Sequence, residues 1–272
     1  ADYSSVISDI QGDIEREIHA RWGYEGVVDV ADSLVDAVVP FLSKNSDLAR
    51  GSRISIKDSK YLYFLMHWIQ KPNRRTDLDS SYIAFDANWK TEIIYFGNQA
   101  NNFVTHGGDI TNAPAPNGAT EYGRINLGNI PKNVKYIVPV INVFSGDAFA
   151  DLQQAYAGFM TSDDASFSIT RDHIRYDLTQ PANSNIPFIL DVENEEVIVI
   201  DFNNRERGGC TAHSEISNIK NLISAVKSKP FMSIGRLAEI LSGDKDEISL
   251  TIKKTAKKDG EIEPASLASL FV

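Results

Sequence analysis

Carboxylates between Thr76 and Glu121 are spaced in a way that could hold a cation. Asp77 and Asp79 open the run Asp77-Leu78-Asp79-Ser80-Ser81-Tyr82-Ile83-Ala84-Phe85-Asp86. It reads as a strand, and alternate side chains of a strand share a face. Two like charges held that close repel unless something cationic sits between them. A hard cation with oxygen ligands answers that need, and calcium suits a flexible set of carboxylate, amide and carbonyl oxygens. A second block, His106-Gly107-Gly108-Asp109-Ile110-Thr111-Asn112, adds Asp109, and the stretch closes near Glu121. The competing interpretation is that Asp77 and Asp79 cap a loop before a strand. Asp86 suits a strand end as well as a metal.

Other chemistry is poorly supplied. The five histidines are scattered, without the His-Glu-x-x-His spacing of a metalloprotease, and no Gly-x-Ser-x-Gly elbow occurs. His106, near Asp109, could orient or neutralise the acidic site; a loop histidine bonded to backbone is the simpler role. Gly107-Gly108-Asp109 is too short and too acidic to cradle phosphate. Cys210 has no neighbouring base to activate it. Asp147, in Phe144-Ser145-Gly146-Asp147, is a reserve ligand or part of a polar loop, and Asp163-Asp164 reads as a turn. No enzyme is expected. A metal-dependent hydrolase using Asp77, Asp79 and His106 is the remote alternative.

Four blocks in order carry a resemblance. Trp68 followed by Asp77-Leu78-Asp79-Ser80-Ser81 and Asp86, then Val104-Thr105-His106-Gly107-Gly108-Asp109-Ile110-Thr111, resemble the opening and the His-x-Gly-Asp-Asn-x-Thr loop of the TerD family. Gly123-Arg124-Ile125-Asn126-Leu127-Gly128-Asn129-Ile130-Pro131 before Tyr136 to Phe144, and Arg175-Tyr176-Asp177-Leu178-Thr179, are similar to its later elements. The match runs from about Arg50 to Phe202. The resemblance implies a two-sheet sandwich and calcium bound by Asp77, Asp79 and Asp109, with Asn112 and Glu121 as further ligands. It also implies a place in tellurite and other stress responses, phage resistance and membrane-associated complexes. Two departures stand out. Ile110 replaces the family's usual asparagine, and the run from Asn112 to Glu121 keeps a single carboxylate, which argues against a second calcium site.

The positioning elements follow from texture. Val6, Ile10, Ile14 and Ile18 form one helical stripe, and Leu34, Val38, Phe41 and Leu42 a second, with Pro40 able to kink or end it. Together they suggest a helical hairpin, with the stripe buried. From Arg53 to Phe202 short strand-like runs alternate with Gly, Pro and Asn turns: Tyr61 to Ile69, Tyr82 to Phe85, Thr91 to Phe96, Tyr136 to Phe144, Pro187 to Val192 and Glu196 to Phe202. Trp68, Trp89 and Tyr82 read as its core. After Gly208-Gly209, Ile216, Ile219, Leu222, Ile223 and Val226 mark a helix ended by Pro230. Ser233 caps another carrying Leu237, Ile240 and Leu241, Glu247 to Ile252 suggests a further strand, and four lysines between Lys253 and Lys258 form a basic cluster. The fold class is therefore mainly β: an antiparallel β-sandwich with helical N- and C-terminal extensions, divided as residues 1–49, 50–204 and 205–272.

A net charge of −10 disfavours a nucleic-acid surface, and the single cysteine excludes an intrachain disulfide and fits a cytoplasmic setting. No run reaches membrane-spanning length. The chain opens at Ala1 without methionine, as a processed or excised segment would. The expected role is a non-enzymatic calcium-binding or scaffolding module of a stress-response system, with protein partners and an indirect link to membranes through a complex. The alternative is a metal-free interaction domain that keeps the sandwich.

Overall fold

The computed structural model describes residues 4–23, 50–205, 212–228 and 234–242. The chain divides into two compact units, Leu42–Ser228 and Ala1–Phe41 with Lys229–Val272. The larger unit is an antiparallel β-sandwich. Its strands are β1 (Arg53–Ser55), β2 (Tyr61–Ile69), β3 (Asp77–Asp86), β4 (Thr91–Ile94), β5 (Val104–His106), β6 (Ala119–Asn126), β7 (Val134–Ser145), β8 (Gln154–Ser162), β9 (Ile174–Asp177), β10 (Ser184–Asp191) and β11 (Glu196–Asn204). One sheet has the order β1-β11-β10-β7-β3-β4 and the other β5-β6-β2-β8-β9.

The two sheets differ in how their sequences read, because they differ in what covers them. In β10 every residue from Ser184 to Asp191 is buried, and β7 is buried almost throughout from Val134 to Ile141. Strands covered on both faces lose polar alternation. The second cover of β7 is α1 (Ala212–Ser228), which buries Ala212, Ile219, Ile223 and Val226 and packs on β3 and β7. Lys227 lies over the Tyr136 ring at 4.9 Å, and Lys220 over Trp89 at 5.8 Å. In β6, by contrast, buried and half-exposed residues alternate along its whole length. That alternation turns Ala119, Glu121, Gly123 and Ile125 inward.

The inner faces meet in one core, in which Leu62, Phe64, Met66 and Trp68 of β2 face Leu78 and Tyr82 of β3 and Phe188 of β10. Phe64 stacks on Phe188 at 5.8 Å, and Phe159 and Tyr176 meet the same ring edge-on. Tyr63 and Leu65, pointing the other way from β2, form a second cluster with Tyr156 and Met160, flanked by Tyr122 and Phe167. The 163–171 loop folds over it: Tyr63 Oη donates to the Asp164 carbonyl (3.0 Å), and Arg171 holds the Asp164 carboxylate (2.9 Å) and the Ser166 carbonyl (2.6 Å).

In the smaller unit, α2 (Ser4–Trp22) packs with α3 (Ile234–Ser242). Arg236 bonds Glu15 at 2.8 Å and Glu239 at 2.7 Å, while His19 Nδ1 donates to the Ile240 carbonyl (3.0 Å). Leu237, Ile240 and Leu241 are buried as their periodicity predicts.

Several expectations are corrected. Ile14, placed on the buried stripe, is 52% exposed. Trp89, expected in the core, is 36% exposed in a left-handed turn (φ 63°), stacked on Tyr136. The strand predicted for Thr91 to Phe96 stops at Ile94, where Tyr95 and Asn98 close a turn. The side chains of Val6 and Ile10, the second N-terminal segment, the Ser233 cap, Cys210, the Glu247–Ile252 strand and the lysine cluster lie outside the described residues.

Gly123 is required by close approach. A Cβ there would sit 2.3 Å from the Tyr82 ring, which is itself 1% exposed and has nowhere to retreat. Gly123→Ala is therefore expected to destabilise the protein by about 1–3 kcal/mol, the cost of overpacking a core. A melting curve indistinguishable from wild type would contradict this packing.

Candidate metal centre

β3 pairs with β7 from end to end, but β4 covers only Tyr82 to Phe85 on its other side. Among the described residues the edge of β3 from Asp77 to Ser81 is thus left without a strand partner, and an unpaired buried edge must find its hydrogen bonds elsewhere. Glu121, turned inward by the alternation of β6, supplies them at Ser80. Its Oε2 accepts from Ser80 N (3.0 Å) and Ser80 Oγ (2.8 Å), and its Oε1 from Ile110 N (2.9 Å). One carboxylate thereby joins the β3 edge to the loop after β5 and brings Asp109 toward Asp77 and Asp79.

Asp77, Asp79 and Asp109 converge: each offers an oxygen, and these atoms all lie within 4.8 Å of one another. Asp77 is buried, Asp79 half-buried and Asp109 exposed, so the cluster is reached from one side. Burial, then the charges of Asp77 and Asp109, push the Asp79 carboxyl up to about 6. Asp77 is raised by burial and by Asp109, against the lowering effect of Arg75. Its Oδ2 accepts from Arg75 Nη2 (3.2 Å), whereas its Oδ1 is buried and finds no partner among the described residues. A buried carboxylate oxygen without a donor, beside two more carboxylates, suits a hard cation with oxygen ligands.

The remaining predicted residues fall elsewhere. Glu121 is the brace just described and is not in the three-carboxylate cluster. Asn112 is exposed in the loop beyond Asp109. Asp86 caps the turn after β3, accepting from Asn88 N (2.8 Å) and Lys90 N (2.9 Å). Asp147 pairs with Arg74 at 2.5 Å. Gly146 before it has φ 108°, and a Cβ there would meet Thr76 Oγ1 at 2.6 Å and the Arg75 carbonyl at 2.7 Å, so only glycine fits the turn.

His106 is a buried structural residue. Its Nδ1 accepts from Gly108 N (3.1 Å), which leaves the proton on Nε2, facing Ser80 Oγ (3.1 Å) and the Ser80 carbonyl (3.2 Å). Burial lowers its pKa, in keeping with a neutral ring. Ser80, His106 and Glu121 resemble a nucleophilic triad in composition only. The serine hydroxyl donates directly to the carboxylate, and all three residues are buried.

Two positioning residues escape sequence reading. Gln70 Oε1 accepts from Thr76 N (3.3 Å) and Ala113 N (3.0 Å), tying the loop before β3 to the loop after Asp109. Arg75 adds a second tie, from its Nε to the Thr111 carbonyl (2.6 Å). Each residue type is common in loops, so neither carries a local signal.

The fold and site define a two-sheet antiparallel sandwich with a carboxylate cluster at an uncovered strand edge. A family model of the TerD domain matches residues 45–190, and the chain belongs to the TerD family. The tellurium resistance protein TerZ of Serratia marcescens is 31% identical over 87 residues, which cover 31% of this chain and 45% of TerZ. The chain thus matches less than half the length of that relative. Two solved structures align with a TM-score of 0.40 each. One is a protein of unknown function, at 12% identity, and the other a homologue of the telluride resistance protein TerD from Streptomyces coelicolor A3(2), at 10%. Both alignments cover 54% of this chain, and 93% and 92% of those chains. Among the described residues, no helix is long and apolar enough to cross a membrane.

Burial pushes the Glu121 carboxyl from 4.5 up to about 7, with the hydrogen bonds from Ile110 and Ser80 opposing it and Asp79 adding to it. A raised carboxylate pKa means that the folded state holds the proton longer. The linked stability is full below about pH 4.5 and is lost as pH rises through about 7. Glu121→Gln removes this titration and leaves one of the donors facing an amide NH₂. The variant is expected to be about 1–3 kcal/mol less stable at neutral pH. The metal-free wild type should lose melting temperature from about pH 5 to about pH 8 more steeply than the variant. Parallel pH profiles would show that Glu121 does not carry the titration.

Proposed function

We propose that this protein is a non-enzymatic calcium-binding or scaffolding module of a TerD-type stress-response system. The observation that carries the reading is the convergence of Asp77, Asp79 and Asp109, with the Oδ1 of Asp77 buried and without a partner among the described residues. These three residues would hold the ion, and a bound cation would supply charge neutralisation and a rigid link between β3 and the Asp109 loop. Calcium is preferred over magnesium because it accepts an irregular shell of carboxylate, carbonyl and water oxygens. Asn112 lies in the same loop as Asp109 and is a candidate for a further oxygen. The relationship to TerZ supports a role in tellurium resistance or a related chemical stress. We read the module as cytoplasmic, with protein partners, no nucleic acid, and contact with membranes only through a complex. Its net charge and single cysteine support that setting.

The second reading, a metal-free interaction domain, is favoured by one observation. Arg75 already sets a cation against Asp77. Titration calorimetry of the metal-stripped protein separates the two readings. Under the calcium reading the melting temperature rises with calcium and much less with magnesium. The stabilisation is about 2.7 kcal/mol when free calcium is a hundred times its dissociation constant. Asp79→Asn is expected to abolish most of that rise while leaving the calcium-free protein equally stable or slightly firmer, since it deletes a repelling charge. No heat and no melting shift at millimolar calcium would establish the metal-free reading.

A further inference from the structure

Arg74 and Arg75 end the loop that leads into β3, and each grips a buried aspartate. Arg74 meets Asp147 Oδ1, and Arg75 meets Asp77 Oδ2, with the aspartate side chains 9% and 4% exposed. In both pairs the other carboxylate oxygen is buried and finds no partner among the described residues. The two arginines are themselves open to solvent, with side chains 65% and 58% exposed. Arg75 differs from Arg74 in that its aspartate belongs to the three-carboxylate cluster. It also reaches past Asp77 to the Thr111 carbonyl, on the loop that carries Asp109. A permanent positive charge is therefore held against the cluster from the solvent side, by residues of its own chain.

We propose that Arg75 is the built-in counter-cation of the Asp77–Asp79–Asp109 cluster, and that it sets how strongly the cluster takes up a divalent cation. This inference rests on the calcium reading above. With Arg75 in place, the three carboxylates and the guanidinium carry a formal charge of −2 when all are ionised; without it the charge is −3. Arg75 thus does two opposed things. It relieves carboxylate repulsion in the metal-free protein, and it repels an incoming divalent ion. It also tethers the Thr111 loop, which favours binding by holding Asp109 near. Magnitude decides between these effects. A double charge within several ångströms of a single one interacts strongly even near a protein surface, whereas one hydrogen bond from a half-exposed side chain contributes modestly. The repulsion is the larger, so removing the guanidinium charge tightens calcium binding.

The test is calorimetric titration of the metal-stripped 272-residue protein with calcium chloride, for wild type, Arg75→Gln and Arg75→Lys. Arg75→Gln is expected to bind calcium roughly tenfold more tightly. Arg75→Lys, which keeps the charge and loses the planar fork, should stay near wild type. The advantage of Arg75→Gln should shrink as salt is raised, since Arg75 is exposed to screening ions. Circular dichroism confirms that each variant is folded before titration. A wild type that binds, with a folded Arg75→Gln that binds equally or more weakly, overturns this inference and leaves the calcium reading intact. A silent wild type with a binding Arg75→Gln shows that the arginine excludes the ion; it supports the counter-cation role and overturns the calcium reading for the wild-type protein. Silence from both overturns the calcium reading and the inference with it.

Discussion

The carboxylate of Glu121 is the point on which the site depends. A strand edge that is buried without a partner strand leaves backbone groups unpaired, at a cost comparable to a lost hydrogen bond for each. In β3 this edge runs from Asp77 to Ser81, because β4 begins to pair only at Phe85 and ends at Tyr82. A side chain from the opposite sheet takes the role of the missing strand, satisfying Ser80 and holding Ile110 in the same grip. Burying an acid this way raises its pKa, and the bonds from three donors offset part of that cost. The opening that β4 leaves is what lets the Asp109 loop approach the two aspartates of β3.

Around that brace the polar groups are arranged in ties between segments distant in sequence. Gln70 joins the loops before β3 and after Asp109, Arg75 repeats the connection, and Thr76 Oγ1 accepts from Asp147 N at 3.1 Å. Each tie fixes a loop without a disulfide, as a chain with a single cysteine must. Charges brought together in this way are not independent. Asp79 is raised by burial and then by both of its aspartate neighbours, and Asp77, raised first by burial, is pulled down by Arg75 and up by Asp109. The scaffold holds the three carboxylates together, and Arg75, itself one of the ties, relieves part of their repulsion.

The far side of the sandwich is stapled by another polar group. Tyr176 of β9 donates to Asn185 Oδ1 of β10 (2.9 Å), carrying a bond from one sheet to the other, and Asn185 Nδ2 donates to Asp201 (3.1 Å) and Asn203 (3.0 Å) of β11. Both Tyr176 and Asn185 are buried, so the contact would be expensive to leave unmade.

Strand texture, turn residues and periodicity determined most of the β region from the sequence. Alternation of two residues, and runs buried on both faces, are local consequences of what each strand touches. They gave the mainly β class, the antiparallel sandwich and the amphipathic faces of the helices at Ala212–Ser228 and Ile234–Ser242. The pairing of Asp77 with Asp79 was readable for the same reason, since a strand's period alone puts them on one face. Asp109 joined them only through a resemblance of motifs, because nothing local says which loop folds onto which edge. The hydrogen bonds of Glu121, Gln70 and Arg75 were decided by tertiary structure. A glutamate on an alternating strand has the same sequence signature whether it binds an ion or bonds a strand edge. The choice was made by the absence of a fourth-strand partner along Asp77 to Ser81. Ile14 and Trp89 show the same limit from the apolar side: periodicity and hydrophobicity mark residues able to be buried, and only the packing of distant segments decides whether anything covers them.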